Sequence, residues 1–233
     1  MNTVVITNQK GGVGKTTIAA LFAWGLAEKE SARVALVDLD SQKNLTRTFA
    51  QRGCEITAAK LFGPALPALD AAREPLCLFP GVTELADLER ASPEIIRNFR
   101  NNVMQLASHF DYCLIDTPPA LGLRMTAALI VADYVLCPIE LEEYSIEGVT
   151  AMIKTIIGVR QRHNPRLKFL GLLANRFKSS FGTTARRTGS AFHLIRSTYN
   201  PRQDLDPFGH SGSACSRHTG VEASEVLRPG GGL

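Results

Sequence analysis

The sequence predicts an α/β domain built on a mostly parallel, twisted sheet with helices on both faces. Three observations carry that reading. Short β-branched runs alternate with helix-length amphipathic segments along most of the chain. Several of these runs are almost wholly apolar, as strands buried on both faces are. A glycine-rich loop joins the first run directly to the first helical segment.

Taken in order, the expected strands are Thr3–Thr7, Arg33–Asp38, Pro75–Phe79, Tyr112–Asp116, Tyr134–Pro138 and Lys168–Leu173. The expected helices between them are Lys15–Glu28, Pro93–His109, Leu123–Ala132 and Ile146–Arg162. Ser92-Pro93-Glu94 has the form of a helix start: a cap, then Pro in the first turn, then an acid near the positive end of the dipole. The chain has 233 residues, enough for one domain with a proper core. With 45% hydrophobic and 21% charged residues it reads as globular, and its net charge of +4 is compatible with a nucleic-acid partner without requiring one.

The five cysteines are scattered, odd in number and never paired as CxxC, so a disulfide framework or zinc site is not expected. Cys113 and Cys137 fall in apolar runs and read as small core residues of a protein in a reducing, cytoplasmic compartment. The N-terminus enters a strand at once, with no basic-then-apolar leader. The longest apolar stretch, 127–139, is interrupted by Asp133 and too short to span a bilayer.

The loop reads Gln9-Lys10-Gly11-Gly12-Val13-Gly14-Lys15-Thr16-Thr17. Between a strand and a helix, glycines allow successive N–H groups to wrap phosphate oxygens, and the helix N-terminus adds a favourable dipole. This is the context of a P-loop, so the fold is expected to be P-loop NTPase-like. Lys15 would meet the β- and γ-phosphates and the Thr16 hydroxyl would ligate Mg²⁺. Gln9 stands where the ordinary pattern has its first Gly, and Lys10 follows. This variant resembles the deviant Walker A motif of the ParA/MinD family. The resemblance implies that ATP and Mg²⁺ are bound by Gly11, Gly12, Val13, Gly14, Lys15, Thr16 and Thr17. It also implies that Lys10 reaches across an ATP-dependent homodimer to the partner's phosphates.

Two acidic segments extend the resemblance. Val37-Asp38-Leu39-Asp40-Ser41-Gln42 is similar to the family's DxDPQ element, with Ser41 for the usual Pro and Lys43 for the usual Gly. Asp40 then orients the attacking water, while Asp38 is expected to hydrogen-bond the phosphate loop from its strand end. Tyr112-Cys113-Leu114-Ile115-Asp116-Thr117-Pro118-Pro119 resembles the family's Walker B form, which implies that Asp116 binds a Mg²⁺ water. Ala132–Glu140, Tyr144–Gly148 and Phe169–Arg176 also look ParA-like, and Asn175 matches an Asn that contacts adenine in the family.

The resemblance covers residues 1–199 and is nearest to plasmid and chromosome partition proteins. It implies a slowly hydrolysing ATPase that dimerises on ATP, binds DNA non-specifically and is stimulated by a ParB-type centromere-binding protein. Such a protein is cytoplasmic, and nucleoid-associated where it holds DNA. Arg186 and Arg187 are candidates for the DNA contact, beside the plainer reading of a solvated helix face. A MinD-like membrane-cycling ATPase would need a C-terminal basic amphipathic helix, which the written tail lacks, so no membrane partner is expected.

Residues 200–233 stand apart. All eight lysines occur by Lys178, and no periodic apolar pattern survives beyond about Asn200. Reading the degenerate codons of His210–Val226 one nucleotide further on permits the C-terminal element that the family usually carries. These residues are therefore expected to be an aberrant or disordered tail produced by a frameshift near Tyr199–Asn200, and codons incompatible with the shifted peptide would exclude that. In this case the alternative to a partition ATPase is a truncated family member that binds nucleotide at most.

Overall fold

The computed structural model describes residues 1–69, 75–140 and 146–175. The expected tail at 200–233, Arg186, Arg187 and Cys215 lie outside the described residues.

Eleven helices and strands form the described fold, in the order β1 (Asn2–Ile6), α1 (Lys15–Lys29), β2 (Val34–Asp38), α2 (Asn44–Thr48), β3 (Leu76–Phe79), α3 (Ile95–Gln105), β4 (Tyr112–Asp116), α4 (Leu123–Val131), β5 (Tyr134–Glu140), α5 (Ile146–Arg162) and β6 (Lys168–Asn175). Every strand pair is parallel, and the sheet order is β3-β2-β4-β1-β5-β6. This is the expected P-loop NTPase-like architecture, with its sheet parallel throughout.

Alternate residues of each strand serve opposite faces, as the pleat requires. On one face Val5, Val37, Phe79, Ile115 and Val135 pack with Phe99 and Val103 of α3, Met125 of α4 and Met152 of α5. On the other face Ile6, Leu36, Leu78 and Leu114 pack with Ala19 and Ala23 of α1 and Leu45 of α2. Both faces are therefore covered, which explains why the strands read as nearly continuous apolar runs. Cys113 and Cys137 are fully buried in the first of these cores, and burial pushes both thiols up to about 12.

Most element bounds match the sequence expectation to within a single residue, and those of β5, β6 and α3 differ by two or more. β5 runs two residues further, to Glu140, because its ladder with β6 continues to the Glu140–Asn175 pair. Pro138 is tolerated there because β1 pairs β5 only as far as Leu136, so the missing N–H breaks no bond to β1. The helix expected from Pro93 has its regular part at Ile95–Gln105. Ser92 and Pro93 make a tighter entry turn, with Ile95 N–H donating to Ser92 O and Ile96 N–H to Pro93 O. Its last stretch, Leu106–Ser108, is also 3-10 in form. Short helical turns at Ala50–Arg52, Ala58–Phe62 and Thr83–Arg90 fill the connection on either side of β3.

Register sets the geometry that matters for the site. Ile6 of β1 and Asp38 of β2 both lie opposite Asp116 of β4. The C-terminal ends of three adjacent strands thus finish level with one another. The chain leaves β1 toward β2 on one side and later places β5 on the other, so the loop after β1 sits at a crevice where connections diverge.

Candidate functional site

The loop after β1 is shaped from within. Asn8 accepts the Lys10 N–H on its Oδ1 at 2.9 Å and donates from Nδ2 to Pro138 O at 2.7 Å, tying the loop to β5. Gly12 and Gly14 have φ values of 77° and 90°, a region that L side chains rarely adopt. Gly14 is constrained twice. A Cβ there would also strike the Asn175 amide nitrogen at 2.1 Å. Gly11 and Gly12 face solvent, Val13 is buried, and Thr17 is exposed one turn along.

Lys15 is buried, and its Nζ donates to Lys10 O across the loop at 3.0 Å. Burial lowers its pKa, while Asp116 and Asp40 pull the other way and favour the ammonium form. The Thr16 hydroxyl donates to Asp116 Oδ2 at 2.6 Å. Asp116 is 1% exposed, and its second oxygen, Oδ1, has no hydrogen-bond partner among the described residues. Its carboxyl is pushed up to about 7, first by burial and then by Asp38 and Asp40, against the lowering effect of Thr16 and Lys15. A buried carboxylate with one free oxygen, beside a threonine hydroxyl and a buried lysine, is a donor set suited to a hydrated divalent cation and a polyanion together.

Asp38 corrects one expectation. Its hydrogen bonds go to the loop that follows β2, not to the phosphate loop. Oδ1 accepts Asp40 N–H at 3.0 Å, and Oδ2 accepts the Thr46 N–H at 2.9 Å and the Thr46 hydroxyl at 2.6 Å. Burial raises its pKa despite these bonds. The physical reason is local. The chain doubles back through Lys43, whose φ of 59° turns it into α2 and brings Thr46 under Asp38. That positive φ is also why a Gly would sit comfortably at residue 43. Asp40 accepts the Gln42 N–H at 3.0 Å and is only partly buried, so its carboxylate stays near the crevice.

Asn175, at the end of β6, donates from Nδ2 to Val13 O at 3.0 Å. The structure therefore brings Lys10, Lys15, Thr16, Asp40, Asp116 and Asn175 around one loop. Several further residues support the site. Thr46 lies in a five-residue helix, too short to show a period. Gly81 donates its N–H to the Thr46 hydroxyl at 2.8 Å, and a Cβ there would meet Asp38 and Asp40 atoms at about 3.0 Å. Thr117 donates to Ile6 O at 3.1 Å and lies 2.9 Å from the Thr7 hydroxyl, joining β4 to β1. Arg124 is buried beneath the Asp40 loop.

Residues 1–169 match the family model described as AAA domain. Protein IncC of Escherichia coli is 44% identical over 189 residues, covering 76% of this chain and 51% of that protein. The chromosome-partitioning ATPase Soj of Thermus thermophilus is 36% identical over 177 residues, covering 75% of this chain and 69% of Soj. The crystal structure of cobyrinic acid a,c-diamide synthase from Mycobacterium smegmatis with bound ADP and magnesium superposes with a TM-score of 0.69 at 29% identity, covering 85% of this chain and 82% of that one. The chain spans about half the length of the IncC relative.

Proposed function

This chain belongs to the ParA-type family of deviant Walker A P-loop proteins, and we propose that it is a partition ATPase that binds and slowly hydrolyses Mg²⁺-ATP. The observation that carries the proposal is the Thr16–Asp116 contact at 2.6 Å, with Asp116 Oδ1 buried and unpartnered and Lys15 buried beside it. A carboxylate held that way suits the hydration shell of a nucleotide-bound Mg²⁺. Gln9 Nε2 is also buried without a partner beside the loop, a donor to spare for an anion. Names of relatives that include "chromosome-partitioning ATPase", and a structural neighbour holding ADP and magnesium, support the same reading.

In this reading Thr16 and Asp116 would hold Mg²⁺ between them, the hydroxyl as a ligand and the carboxylate through a water. The ion would supply charge neutralisation on the phosphates when bound. Lys15, which donates to Lys10 O in the structure, would turn to the phosphate oxygens. Asp40 orients the attacking water and takes its proton late in the transfer. Asn175 borders the loop from β6 and is the candidate for contact with the base. Lys10 acts in trans in an ATP-dependent homodimer, which binds DNA non-specifically and answers to a ParB-type centromere-binding protein. DNA affinity then falls steeply with salt, by a slope of about 0.9 per phosphate contact in log–log form.

The test is light scattering of the full chain with Mg²⁺-ATP, using Asp40→Ala to hold the ATP state. Dimer formation with ATP, absent in Lys15→Ala, is expected. A monomer that turns over ATP at the same rate with Lys10→Ala would contradict the proposed trans role.

A further inference from the structure

Arg124 lies in the first turn of α4 and is buried at 6% exposure. Its guanidinium serves two masters. Nε donates to Glu89 Oε1 at 2.7 Å, and Nη1 donates to the carbonyl of Leu39 at 2.9 Å. Leu39 stands between Asp38 and Asp40, and its own N–H donates to Asp116 O at 3.0 Å. Glu89 completes the frame by accepting the Leu123 N–H on Oε2 at 2.6 Å.

The segment that delivers Glu89 touches the same loop at its other end. Gly81 N–H donates to the Thr46 hydroxyl, and the Lys43 ammonium donates to the Thr83 hydroxyl at 3.5 Å. The loop carrying Asp40 is thus held by Gly81 and Thr83 at one end of this segment and, through Arg124, by Glu89 at the other. A pair that only filled space would satisfy itself. Here the arginine commits a second donor to a single backbone carbonyl, one residue before the acid.

We propose that the Glu89–Arg124 pair, with its arginine buried, is a positioning device for Asp40, which sets the height of the Asp40 carboxylate above the phosphate loop by fixing the Leu39 carbonyl. The pair also couples that loop to α4, the helix that follows the Asp116 segment, so a shift of α4 moves Asp40. The proposal rests on Asp40 acting in hydrolysis. Only a planar, forked cation can serve both acceptors, and lysine offers one point of charge in their place. Misplacement of a catalytic group by about 1 Å costs on the order of 100-fold.

The experiment compares wild type, Arg124→Lys, Glu89→Gln and Asp40→Asn for single-turnover ATP hydrolysis, and for affinity toward a fluorescent ATP analogue with Mg²⁺. Arg124→Lys is expected to slow hydrolysis by about 10- to 100-fold while analogue affinity stays within about twofold. Added to Asp40→Asn, it should cost nothing further, since both act through one group. A merely structural role would lower affinity and rate together, and that result overturns the proposal. So does a folded Arg124→Lys with wild-type turnover. Should Arg124→Lys fail to fold, Glu89→Gln carries the same test, because Glu89 is 29% exposed and its amide keeps an acceptor. If Asp40→Asn itself keeps full turnover, the Asp40 reading fails and the positioning role falls with it. If Asp40→Asn is inactive but the pair's variants are not, only the positioning role is lost.

Discussion

Asp116 concentrates the chemistry of the site at one residue. Its carboxyl sits at about 7 in the folded protein against an ordinary 3.8, so the fold favours the neutral acid. For a group raised in this way the stabilising contribution is complete below about pH 3.8 and lost as pH rises through about 7. A metal reverses this preference, because it binds the ionised form. Without nucleotide, wild type should therefore melt lower at pH 8 than at pH 6. Asp116→Asn should flatten that difference and raise the pH 8 midpoint by roughly 2–8 °C, from about 1–2 kcal/mol. Thermal melts of both proteins at the two pH values check this, and an equal drop in both would contradict it. Lys15 and Thr16 were legible in the sequence because a loop of fixed spacing names them, and Asp116 because it closes an apolar strand run before Thr-Pro-Pro. The partners of Asp38 were not, because a single φ of 59° at Lys43 decides where its hydrogen bonds go. Nor did anything in the sequence reveal that Gly14 must also clear the Asn175 amide, 161 positions away in sequence.

Elements were read well where they are long or doubly buried, and poorly where neither holds. Five strands announced themselves because both faces of the sheet are covered along them, and the partly buried β6 because its run is apolar too. α5 kept its expected bounds, since seventeen residues show a clear period. α2 and the turns at 50–62 and 83–90 are too short for any period to show. They are held by contacts from afar, such as Asn102 Nδ2 donating to both Leu61 O and Gly63 O at 2.9 Å. α3 anchors that region. Phe99 is fully buried and stacks on Phe62 with ring centroids 4.4 Å apart. Phe99→Ala should cost about 3–5 kcal/mol in chemical denaturation, by lost burial and the cavity left behind. Trp24→Ala, on the outer side of α1 at 55% exposure, should stay within about 0.5 kcal/mol. A loss at Phe99 no larger than that at Trp24 would mean that α3 does not carry this part of the core.

At the scale of the molecule, sheet order rather than any single motif assembles the site. The sequence predicts a parallel sheet but does not say which strands are neighbours. Placing β1 between β4 and β5 puts the phosphate loop at the centre of the carboxyl edge, with Asp38 and Asp116 level beside it and Asn175 arriving from the far strand. Motifs spread over more than 160 residues of chain thereby face one crevice. The most direct test of this assembly is the melting temperature of the full chain with and without Mg²⁺-ATP, with Lys15→Ala as the control. A ligand that binds only the folded state stabilises it by RT ln(1 + [L]/Kd), about 2.7 kcal/mol at a hundredfold excess over Kd. The account predicts a clear upward shift with Mg²⁺-ATP that is lost in Lys15→Ala. A cooperative melt that Mg²⁺-ATP leaves unmoved, or one that moves equally in Lys15→Ala, would contradict it.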